Sequence, residues 1–158
     1  MTPSHLHLVL NHMPVIGFLL ATLLLLVAWL RRSRELQTVA LLGVLLVALS
    51  AIPAYMTGEP AEEQIEHAPG IEKETIEAHE ESATVSLTIG LLAGVAALVT
   101  LVRGRGGRGL SRAGVTVTLV LALTAAIALG VTANRGGHIR HPEITPGAIT
   151  NEEHERGD

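Results

Sequence analysis

The sequence predicts an all-α integral membrane protein, an up-down-up-down four-helix bundle with both termini outside. Three observations predict it. Apolar residues form 48% of the 158-residue chain and fall in blocks, while charged residues form only 16%; a soluble domain carries about 25%. Each of four blocks runs about 16 to 20 residues or a little more, the length an α-helix needs to cross about 30 Å of hydrocarbon. None alternates with period two, so barrel strands are excluded.

The first span covers residues 6–30: Val15 to Leu30, continued upstream by Leu6 to Met13. Pro3 suits the first turn of this helix, and Pro14 predicts a kink about one turn below the surface. No basic residue precedes the span and Arg31 and Arg32 follow it, so it reads as a retained span and not a cleaved signal peptide. The second span covers 36–57. The link between them is short and makes an antiparallel hairpin. Residues 58–82 form an acidic outer loop with helical structure. Gly58-Glu59-Pro60 reads as a turn into a short helix, with Glu62, Glu63, Glu66 and His67 on its polar face and a break at Pro69-Gly70. From Ile71 the chain reads as helical again, running into the third span (83–103) as one helix of about 30 residues. Gly90 and Gly94 form a GxxxG pair that reads as helix packing. A second short link leads to the fourth span, 113–133. The bundle domain is then 1–141, and 142–158 is a polar tail without periodicity.

Charge orients the bundle. The two short links hold seven of the eleven basic residues, Arg31, Arg32, Arg34, Arg103, Arg105, Arg108 and Arg112, against one acid, Glu35. The other end holds fourteen of the fifteen acids. That bias belongs to cytoplasmic loops, which places both termini and the 58–82 loop on the outer, periplasmic side of a bacterial inner membrane. The basic string Arg103 to Arg108 is explained by this topology. With a net charge of −4, no nucleic-acid partner is expected. The expected partners are the lipid bilayer and other subunits of a membrane redox complex. The absence of cysteine excludes disulfide scaffolds, thiolate-ligated zinc, Cys-ligated clusters and a Cys nucleophile. Phosphate-binding loops, dinucleotide fingerprints and serine-nucleophile motifs are also missing.

Histidine carries the chemical information. By this topology all eight histidines lie at or beyond the outer surface: His5, His7, His12, His67, His79, His138, His141 and His154. His12 lies at membrane depth, where an imidazole needs a partner. His79 lies about one turn above span three. Spans one and three begin on the same side and sit diagonally in such a bundle, so His12 and His79 stand at similar height. Two imidazoles on opposed helices suit the axial ligands of a b-type heme (heme b), with His7 and His141 as candidates for a second heme or a supporting shell. The ends of spans two and four are slim at that level (Ala54, Thr57, Gly58; Gly130, Thr132, Gly136, Gly137), and Arg135 or Arg140 would pair with propionates. The same region also allows a non-heme site for zinc or iron, with His12, His79, Glu59 and Glu80 as ligands. It allows copper as well, using Met13, Met56 and His12. No H-E-x-x-H or E-x-x-H spacing supports a metal frame.

The string His7-x4-His12-Met13-Pro14, Thr57-Gly58 closing span two, His79 ahead of span three, and Gly136-Gly137 with His141 behind it resemble one known pattern. It is that of the uncharacterised four-helix membrane proteins grouped as domain of unknown function 2231. The resemblance covers about residues 5–141. It departs from the family at Leu8, where members carry Pro, at Met13, where they carry an aromatic residue, and at His138–His141, where the Tyr is missing and the final His is shifted. The resemblance implies a four-helix membrane bundle and supports the choice of His12 and His79; the family offers no settled activity. Small b-type cytochromes look similar in architecture, by analogy only.

The expected function is a small membrane b-type cytochrome-like electron carrier that passes electrons within a larger complex and transforms no substrate itself. The alternatives are a cofactor-free structural or assembly subunit docking through its acidic loop, and a non-heme His/Glu metal-binding protein.

Overall fold

The computed structural model describes residues 1–68, 71–106 and 108–141. The described chain is helical, with four long helices and one short one: α1 Pro3–Arg31, α2 Arg34–Met56, α3 Gly58–Ile65, α4 Lys73–Arg103 and α5 Arg112–Arg140. The four long ones are long and apolar enough to cross a membrane. Local chemistry sets their starts. The Thr2, Ser33 and Ser111 hydroxyls accept from the amides of His5, Leu36 and Gly114, relieving the unsatisfied N–H groups of the first turns of α1, α2 and α5. Pro14 and Pro53 lie inside α1 and α2 without ending them. The α1–α2 turn is tight, and Arg32 adopts the left-handed conformation there (φ 53°) to close it.

The helices pack in ring order. α1 and α4 each lie against α2 and α5, so α1 faces α4 across one diagonal and α2 faces α5 across the other. Cross-helix bonds show the antiparallel sense. Trp29 Nε1 near the end of α1 donates to Thr116 Oγ1 near the start of α5 at 2.9 Å. Arg34 Nη2 at the start of α2 donates to the Gly104 carbonyl that follows α4 at 3.3 Å. The loop arginines therefore gather at one end and the described histidines near the other. Phe18, Leu25, Leu41, Val44 and Val115 are fully buried between the helices. The exterior is equally apolar: Leu20, Leu46 and Ile127 are 60%, 66% and 62% exposed. A surface of that kind needs lipid around it. GxxxG works inside the bundle, as Gly90 receives Phe18 and Gly94 receives Ala48.

The segment between α2 and α4 folds back on the bundle. α3 packs on the start of α1, where Ser4 Oγ donates to Gln64 Oε1 at 2.9 Å and to the Ala61 carbonyl at 3.3 Å. α4 is the single long helix that the sequence predicts, 31 residues from Lys73. α5 differs from expectation. It continues seven residues past 133, through Gly136 and Gly137, to Arg140. Tertiary packing against α4 outweighs the poor helix propensity of two glycines; Arg135 Nη1 donates to the Ala78 carbonyl at 2.9 Å. The expected break at Pro69-Gly70 and the tail beyond His141 lie outside the described residues.

Candidate functional site

The site lies at the histidine end, between α1 and α4. His7 is half-buried on α1, at the head of an inward stripe that continues through Asn11, Pro14, Phe18, Thr22 and Leu25. His79 is half-buried on α4, at the head of a second stripe, Ser82, Ser86, Gly90, Ala93 and Ala97. The spacings of three and four keep each stripe on one face. The two imidazoles meet on the bundle diagonal, with ring centroids 6.4 Å apart and planes at 87°.

Each ring is anchored by the other diagonal. His7 Nδ1 lies 3.1 Å from the Ala54 carbonyl at the end of α2, and 3.2 Å from Thr57 Oγ1. His79 Nδ1 lies 3.0 Å from the Thr132 carbonyl on α5. A carbonyl only accepts, so both rings carry their proton on Nδ1 in these bonds and present the lone pair of Nε2. The α5 backbone comes close to His79: a Cβ on Gly136 would stand 3.0 Å from His79 Cε1, whereas one on Gly58 would meet His7 Cε1 at an ordinary 3.9 Å.

Beneath the pair the bundle stays polar for two turns. Ser82 Oγ donates to the His79 carbonyl at 2.8 Å, and the Ser86 and Thr132 hydroxyls share a buried bond of 2.9 Å. Phe18 against Gly90 then closes this layer, and beyond it the interior is mainly apolar, interrupted by the buried Thr22, Thr100 and Thr118.

The pairing differs from the sequence expectation. His12 is exposed on the outside of α1 and its Nδ1 bonds back to the Leu8 carbonyl of its own helix. His7 and His12 are five residues apart, about 140° around a helix. Only one of them can face inward, and it is His7. His12 and His79 are therefore not brought together, and the supporting role expected of His7 becomes a principal one. His141 stands exposed at the C-terminal cap of α5, its amide donating to the Gly137 carbonyl at 3.0 Å. Glu59 and Glu80 are both exposed, on α3 and α4. Among the described residues, no group of three or more His, Asp or Glu is placed to hold a metal ion. The expected His12–His79–Glu59–Glu80 set is thus not assembled. Met13 and Met56, 59% and 70% exposed, point away from the interior with His12. His67 pairs with Glu66 at 3.2 Å. His138 and Arg135 line an open cleft of about 230 Å³ with Glu72, Glu74, Thr75 and Ala78. The Arg140 side chain and His154 lie outside the described residues.

A signal in the sequence does mark His7. In a membrane bundle the lipid face is as apolar as the core, so hydrophobicity does not separate them. The residues that differ in kind do: His7, Asn11, Pro14, Phe18 and Thr22 fall on one stripe.

No family model, curated protein or solved structure matches the chain.

Proposed function

We propose that the protein is a small membrane electron carrier of the b-type cytochrome kind, with His7 and His79 as the two protein ligands of one heme iron. The observation that carries this reading is the paired imidazoles, 6.4 Å apart between diagonal helices. Two imidazoles that share one metal atom at about 2.0–2.1 Å per bond have centroids about 6 Å apart. Heme iron takes only two ligands from the protein, since the macrocycle supplies the other four. Two is the number of imidazole donors that the described residues bring together here.

The remaining residues suit that role. The Ala54 and Thr132 carbonyls fix each ring's tautomer and orientation, the usual office of the partner behind a metal-ligating histidine. Gly136 leaves room for the His79 ring where a side chain would crowd it. Phe18 and Gly90 close the site on its inner side. Arg135 lies near enough for its charge to act on His79, and is the cation suited to a propionate. When bound, the heme supplies one-electron redox chemistry. The arginine bias orients the histidine end toward the periplasm of a bacterial inner membrane, where the carrier would pass electrons within a larger complex. Membership of the four-helix family named above belongs to this proposal, and rests on His7, Thr57-Gly58, His79 and Gly136-Gly137.

The test is a visible spectrum of the purified protein in mild detergent, oxidised and then dithionite-reduced. A Soret peak with sharp α and β bands on reduction is expected. H7A and H79A should each abolish it, and H12A should leave it intact. A featureless spectrum from folded, heme-supplemented protein overturns the reading. Elemental analysis for zinc, iron and copper then separates a non-heme metal site from a cofactor-free subunit.

A further inference from the structure

The opposite end of the bundle carries its own chemistry. The two short links meet there, tied by the 3.3 Å bond from Arg34 Nη2 to the Gly104 carbonyl. All seven of their basic residues are arginines, all are exposed, and the only acid among them is Glu35. The ion pairs found among the described residues, Glu66–His67 and Lys73–Glu77, lie at the histidine end. Among the described residues, no carboxylate forms an ion pair with these arginines.

The chain keeps these charges where local structure disfavours them. Arg32 holds a left-handed backbone, at φ 53°, a conformation that favours Gly or Asn. Arg34 and Arg112 open α2 and α5, at the positive end of each helix dipole. Topological bias asks only for excess positive charge, which lysine would also provide. Guanidinium differs in its planar fork of donors, which matches a phosphate with two parallel bonds. Trp29 is anchored at the same level, half-buried, with the Arg112 guanidinium 5.5 Å from its ring centroid.

We infer that the arginine end is a binding surface for the phosphate headgroups of anionic phospholipids in the adjoining leaflet. Position selects lipid among phosphate sources. The arginines flank the ends of four apolar helices, so bilayer headgroups are their immediate neighbours. This site is independent of the heme reading and stands or falls separately.

Trp29 is the sole tryptophan of the chain and reports from this end. The full-length protein is reconstituted in vesicles containing brominated phosphatidylglycerol or brominated phosphatidylcholine, and quenching of Trp29 fluorescence gives the relative affinity. Each basic residue near an anionic surface is worth about fivefold. The seven screen one another, so an anionic preference of at least about tenfold is expected at low salt, shrinking toward parity at high salt. R105Q/R108Q should lower it at least about threefold with the helical circular dichroism unchanged. R31Q/R103Q is a second variant in case the loop pair fails to fold. Equal quenching by the two lipids overturns the proposal, as does a preference that neither variant changes. Loss of the preference on adding millimolar inorganic phosphate or a short oligonucleotide also overturns it, since the ligand is then a soluble phosphate or a nucleic acid.

Discussion

Replacing Gly136 by Ala tests the anchoring of His79 directly. The added Cβ would stand 3.0 Å from His79 Cε1 and 3.1 Å from Nδ1, where ordinary heavy-atom contact is about 3.5–4.0 Å. The imidazole must yield by about half an ångström. Its Nδ1 now sits 3.0 Å from the Thr132 carbonyl, and that shift carries it past the normal N–H···O range of about 2.7–3.2 Å. Loss of the bond costs about 1 kcal/mol. Exchange of Gly for Ala within a helix returns about 0.5–1 kcal/mol. Thermal stability should therefore change little, while affinity for the proposed heme should fall about 10–100-fold, the usual effect of losing the group behind a metal-binding histidine. Gly130 on the same helix is the control: a Cβ there meets nothing within 4 Å, so G130A should keep full affinity. The assay is heme titration followed at the Soret band for the wild type, G136A and G130A, with ¹⁵N shifts of the His79 ring as a readout independent of heme. If G136A binds as tightly as G130A and leaves the ring shifts unmoved, the anchoring argument is wrong.

Three further outcomes are expected. A Cβ on Gly94 would lie 2.6 Å from Ala48 Cβ, so G94A should force α2 and α4 apart by about 1 Å and cost about 1–3 kcal/mol; adding A48G removes the clashing atom and should restore most of the loss in thermal melts. Thr22 Oγ1 is buried without a hydrogen-bond partner among the described residues, and such a hydroxyl costs about 1–3 kcal/mol; T22V should raise the melting temperature, and a decrease would show the hydroxyl to be satisfied. Outside the membrane, a hydrogen bond with Glu80 pushes the Glu62 carboxyl above its usual range, reinforced by partial burial and the Glu80 charge. Because the folded state holds this proton more tightly, the contribution is present at low pH and lost as pH rises through the raised value. The protection factors of the α3 amides should therefore fall as pH rises through that raised value, and E62Q should flatten the fall.

Much of this protein is legible in one dimension, because the bilayer makes it so. Hydrocarbon forces every backbone polar group to pair within its own segment, so four apolar blocks dictate four helices. The short arginine-bearing links dictate antiparallel pairs, and the two clusters of charge dictate which helix ends gather. Only the tertiary structure decided which way each helix turns about its own axis. His7 and His12 share one apolar segment and differ by about 140° of rotation; Phe18 against Gly90, with Leu25 and Ala28 buried below, sets that rotation and turns His7 inward. The end of α5 was decided the same way. Gly136 and Gly137 lack helix propensity of their own, and packing against α4 carries the helix over them to bring Gly136 against His79. Sequence pattern reports what a segment is made of. The phase of a helix within the bundle is a property of contacts between segments, and it determines that His7 and His79 meet.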